Sequence, residues 1–97
     1  MKIHSDRKQL LIDDELRKIC QEIKKMNKSH NEWNQIESSD MFQSEKYCGG
    51  FDAIEQEFCF SYYDEDNIEY WFAFSLNDLD SIIAGKLKYL DLVKAEK

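Results

Sequence analysis

Polar and apolar positions divide the chain into three stretches. Up to about Ser39, Ile12, Leu16, Ile19, Cys20, Ile23 and Met26 recur at intervals of three and four, which places them on one stripe of an amphipathic helix. Either Ser5 or Asp13 can cap the free amides at its start. Ser29-His30-Asn31-Glu32 has the spacing of a capping box and opens a short second helix with Trp33 and Ile36 on one side. Glu37, Ser38, Ser39 and Asp40 read as loop.

From Tyr47 to Phe74 the aromatic residues follow a strand spacing. Gly49-Gly50 interrupts regular structure as a break before a strand; it lacks the Lys and Ser or Thr of a phosphate loop. Glu57 to Tyr63 and Ile68 to Ser75 are dense in the aromatic residues that strands favour, and they predict a hairpin. A two-residue turn would set Tyr63 opposite Ile68 and leave neither face coherent. A three-residue turn at Glu65, Asp66 and Asn67 sets Tyr62 opposite Tyr70, Phe60 opposite Phe72 and Phe58 opposite Phe74. All six then face one core, and Asn67 tolerates the left-handed conformation that such a turn needs. Cys59, Ser61, Tyr63, Trp71 and Ala73 fall on the other face, to be covered by a helix or by a partner.

Ser75-Leu76-Asn77-Asp78 starts a further helix, whose inner stripe is Leu79, Ile82 and Ile83 and whose end is marked by Gly85. Lys86 to Val93 fits an added strand or a helix. The expected fold is α+β: N-terminal helices packed on a central antiparallel aromatic hairpin or small sheet, followed by a C-terminal helix. With 97 residues, no proline, three glycines and no repeat, residues 1–97 are expected to form a single domain.

Charge narrows the choice of partner. Twenty acidic against 13 basic side chains give a net charge of −7, which argues against direct nucleic-acid binding and against anionic membranes, and for a basic protein. The acids gather around the hairpin: Asp52, Glu55 and Glu57 before it, Asp64, Glu65 and Asp66 at its tip, Glu69, Asp78 and Asp80 after. Exposed carboxylates beside aromatic anchors suit recognition of a basic surface. The candidate partner-binding residues are therefore Glu57, Tyr63, Asp64, Glu65, Asp66, Glu69 and Trp71. A core hairpin whose ends are kept soluble by acids accounts for the same composition.

Catalytic chemistry finds little support. Cys20, Cys48 and Cys59 are an odd set without C-x-x-C spacing, read as reduced thiols of a cytoplasmic protein. His4 and His30 lie in polar surroundings, with nothing to pair either with a cysteine. An EF-hand-like loop starting at Asp64 would need an oxygen ligand at Ile68, glycine at Glu69 and an acid at Ser75. No dinucleotide fingerprint or nucleophile elbow is present. No enzyme activity, metal or cofactor is expected. Neither a signal-peptide pattern nor a run of about 18 apolar residues occurs.

A compact acidic chain of this size, with exposed aromatics and no catalytic motif, resembles the small immunity proteins that bacteria pair with secreted toxins. The resemblance lies in size, charge and layout. It implies direct occlusion of a basic toxin nuclease, with carboxylates standing where substrate phosphates would. A phage-encoded inhibitor that mimics nucleic acid would use the same physics with carboxylates in rows at phosphate spacing. A small enzyme would instead show a cleft holding a carboxyl or thiol of strongly shifted pKa. An aromatic face left partly uncovered could also be the seam of a homodimer.

Overall fold

The computed structural model describes residues 8–36 and 41–95. Its elements in chain order are β1 (Lys8–Leu11), α1 (Asp14–Met26), α2 (His30–Asn34), β2 (Phe42–Gln43), β3 (Tyr47–Asp52), β4 (Glu57–Tyr63), β5 (Glu69–Phe74), a 3-10 turn (Leu76–Asp78), α3 (Leu79–Ile83) and β6 (Tyr89–Lys94). The strands form one six-stranded sheet in the order β1-β6-β5-β4-β3-β2, and every neighbouring pair is antiparallel. The fold is mixed α and β, but the helices lie between strands in the chain. The expected layout of helices, hairpin and final helix is corrected in this respect: a strand precedes α1 and another follows α3.

Local signals account for the helices. Asp13 caps α1, its Oδ1 accepting the Leu16 N–H at 3.0 Å; the alternative start at Ser5 lies outside the described residues, as do His4 and the loop at 37–40. Leu16, Ile19, Cys20 and Ile23 of α1 are buried as one stripe. The capping box of α2 is formed in both directions, by Glu32 N–H on Ser29 Oγ and Ser29 N–H on Glu32 Oε1. Trp33 is fully buried against Phe58 and Phe51, with ring centroids 5.0 and 5.8 Å away. At the start of the third helical segment the Asp78 carboxylate accepts the Ser75 N–H at 2.9 Å, and Gly85 follows α3 at φ +80.

The hairpin has the register that alternation predicts: Phe58↔Phe74, Phe60↔Phe72 and Tyr62↔Tyr70. The first two pairs stack across the strands at 5.5 and 5.8 Å and the third lies tilted at 6.5 Å; such pairs stabilise by roughly 0.5–1.5 kcal/mol beyond area burial. The turn closes by Asn67 N–H on Asp64 O at 2.9 Å and Asp64 N–H on Ile68 O at 3.1 Å, with Asn67 left-handed at φ 63.

Gly49-Gly50 does not interrupt the sheet; both residues lie inside β3. A Cβ on Gly49 would stand 2.1 Å from Cys59 O and 2.7 Å from Phe60 Cα. Close approach of two backbones, rather than a chain break, is what requires glycine there.

The core fills one face of the sheet. Phe58, Phe60, Phe72 and Phe74 from the hairpin, Tyr47 and Phe51 from β3, Leu90 and Leu92 from β6, and Leu10 from β1 join the stripes of α1 and α3 in one buried cluster. An antiparallel sheet can leave its second face to water.

Candidate functional site

The second face carries the odd-numbered residues of β1, β4, β5 and β6 and the even-numbered residues of β3. Exposed large apolar side chains concentrate there. Seven such side chains occur among the described residues, and Leu11, Tyr63, Trp71, Tyr89 and Val93 belong to this face, while Met41 and Ile54 stand off the strands. Trp71 pairs with Val93, and Leu11 with Tyr89. The result is two apolar groups on one face, Trp71 with Val93 and Leu11 with Tyr89, separated along β6 by Asp91; exposed apolar side chains gathered on one face mark a contact surface.

Among the described strand residues, charge on this face has one sign. Asp52, Glu57, Glu69 and Asp91 are its charged strand residues; the lysines of the strands, Lys8 and Lys94, register with Leu92 and Tyr70 on the covered side. Carboxylates next to these apolar groups with no neutralising cation in the strands produce a local negative field over a surface able to exclude water.

The face is not flat. β6 pairs with β5 at Tyr70↔Lys94 and Trp71↔Val93, and beyond these pairs lies a hollow of about 540 Å³. Cys59 and Ala73, two small side chains paired across β4 and β5, line it. Trp71 lines it from β5, and Tyr89 and Asp91 from β6. Gln9 Nε2 donates to Asp91 Oδ1 at 3.0 Å and so orients that carboxylate from the neighbouring strand.

The seven candidate residues separate into three groups. Glu57, Tyr63, Glu69 and Trp71 share the open face. Glu65 and Asp66 stand exposed at the hairpin tip. Asp64 is occupied in building the turn: its Oδ1 accepts the N–H groups of Asp66 and Ile68, both at 2.9 Å, and its Oδ2 pairs with Lys8 at 3.2 Å. The Ile68 N–H first, and Lys8 after it, hold the Asp64 carboxyl below its ordinary value. Lys8 also donates to Tyr70 OH at 3.3 Å, so this group ties β1 to the hairpin on the covered side. Sequence reasoning missed Gln9, Leu11, Tyr89, Asp91 and Val93, because their place on the face follows from the pairing of β1 with β6, which no local pattern announces.

Burial pushes the Cys20 thiol up to about 12 and raises that of Cys59, where Asp52 and Glu57 add to the effect. A raised thiol pKa is the reverse of what activates a nucleophile. At the sheet margin Asp13 also accepts from Lys46 Nζ and from Tyr47 OH. Burial and then the Asp13 charge push the Tyr47 hydroxyl well up. Among the described residues no group of three or more His, Cys, Asp or Glu is placed to hold a metal ion, and no helix is long and apolar enough to cross a membrane.

Comparison with protein families, curated proteins and solved structures gives no match to this chain.

Proposed function

We propose that the chain is a protein-binding inhibitor, an immunity protein acting in the bacterial cytoplasm, which neutralises a cognate toxin by occluding its basic active site. The observation that carries this reading is the open sheet face, where five exposed apolar side chains lie among four carboxylates and no strand lysine. Aromatic groups that desolvate on contact anchor an interface, while a field of one sign speeds encounter with a partner of the other. Two copies of this chain joined through the same face would set carboxylate against carboxylate, so a homodimer seam is the weaker use of it. Asp64 leaves the contact set, and Glu65 and Asp66 act as steering charges at its rim.

Rescue tests the proposal. Cells expressing the product of the reading frame next to this chain's gene should die alone and grow when the chain is co-expressed, and Trp71→Glu should abolish the rescue while leaving the purified chain folded. A neighbouring product that is harmless, or one that the chain fails to neutralise, overturns the proposal.

A further inference from the structure

We infer that the hollow between β5 and β6 is a receptor for one arginine side chain of the basic partner; this deepens the proposed function and rests on it. Four features of the hollow converge on a guanidinium. Trp71 and Tyr89, 44% and 52% exposed, are among the residues that line its volume of about 540 Å³ and offer ring surface to a ligand. Cys59 and Ala73, small side chains that register with each other across β4 and β5, also line it and take up little of its space. Asp91 stands at its margin, oriented by the Gln9 amide at 3.0 Å. Among the described residues, the strand positions of the surrounding face hold no cation to compete for that carboxylate.

Arginine fits this set better than lysine. A guanidinium is planar, stacks on aromatic faces and is weakly hydrated, so it can lie against a ring and still present its N–H groups to a carboxylate. An ammonium keeps tighter hold of its water and makes point contacts. The aliphatic stem of the arginine would cover Ala73 and Val93, apolar surface that water otherwise wets.

The test uses the isotope-labelled full chain and two probes, N-acetyl-arginine methylamide and its uncharged citrulline analogue, followed by nuclear magnetic resonance. The arginine probe should shift the Trp71 indole N–H and the amides of Ala73 and Asp91, and the citrulline probe should bind about tenfold more weakly or worse. Asp91→Asn should weaken the arginine probe to a similar degree, whereas Glu65→Lys with Asp66→Lys should leave the pattern of shifts in place. Shifts spread over the whole acidic surface, equal binding of the two probes, or indifference to Asp91→Asn would overturn the site. The two levels of the argument separate in the rescue assay. Variants that lose the arginine probe yet still neutralise the toxin refute the hollow and spare the immunity reading. An intact chain that takes the probe in the hollow and rescues no cell supports the site and removes the immunity reading.

Discussion

The two tryptophans of this chain lie on opposite sides of one sheet. Trp33, carried by α2, has no exposed surface and is enclosed by Phe51 and Phe58; Trp71, on β5, is 44% exposed and has Val93 as its cross-strand neighbour. On the covered side the apolar side chains are consumed by folding, since each is part of one cluster closed by α1 and α3. On the open side, side chains of the same type bury less of themselves and keep about half or more of their surface in water, 44% for Trp71 and 67% for Val93. Removal of that surface from water is worth about 25 cal/mol per Å², a driving force still available to a second molecule. The difference separates residues that specify the structure from residues that are free to specify a contact.

Truncation of the two rings gives the largest expected contrast. Trp33→Ala should cost about 3–5 kcal/mol by opening a cavity in a core that cannot collapse around it, and Trp71→Ala should cost clearly less, about 1–2 kcal/mol, because 44% of its surface already lies in water. Urea unfolding of both variants measures the two losses under one condition. Comparable losses would mean that Trp71 is buried in solution, and the open face would then have to be abandoned as a binding surface.

The next effect concerns the backbone that holds the two faces apart. Gly49→Ala should destabilise by roughly 1–3 kcal/mol, the range for overpacking, because the added methyl meets the main chain of Cys59 and Phe60 rather than a side chain that could swing away. Cys59 also lines the hollow, so shifts in its amide resonance should accompany the loss. A variant as stable as the parent, with Cys59 unmoved, would show that the strands have room to spare at this crossing.

How legible these features were depended on whether one face alone was apolar. In β4 and β5 the buried positions Phe58, Phe60, Phe72 and Phe74 alternate with Glu57, Cys59, Ser61 and Ala73, Trp71 being the one large exception, and Asn67 marks the turn, so register and core face could both be read from residue types. In β6 Leu90 and Leu92 are buried, but Tyr89 and Val93 are large, apolar and exposed. An apolar open face erases the alternation that would have identified the strand. β1 shows the same effect in four residues, where Leu10 is buried and its neighbour Leu11 is 59% exposed. β3 was hidden for another reason, since glycine signals a break in most contexts and here serves a close approach. In β1 and β6, then, the apolar residues that blurred the strands are the ones that form the candidate site.

Charge follows the same division, and the smallest expected effect tests it. On the covered side Asp13 combines a helix cap with contacts to Lys46 and Tyr47. Burial works against its charge, but Lys46 and the Leu16 N–H outweigh that and hold its carboxyl below the ordinary value. A carboxyl whose pKa is lower in the folded than in the unfolded chain stabilises the fold above its unfolded pKa, near about 3.9. The contribution is lost as pH falls through the lower folded value. Asp13→Asn retains a side-chain oxygen able to cap the helix and removes the charge, so it should lower stability near neutral pH by about 1 kcal/mol or less and flatten the acid limb of the stability curve. Asp13→Ala, which also loses the cap, should cost up to about 2 kcal/mol. Chemical denaturation from pH 7 down to pH 2.5 distinguishes the two terms. If Asp13→Asn left the acid limb as steep as in the parent, the acid sensitivity would have to arise elsewhere, and the covered side would no longer be the place where carboxylates contribute to folding.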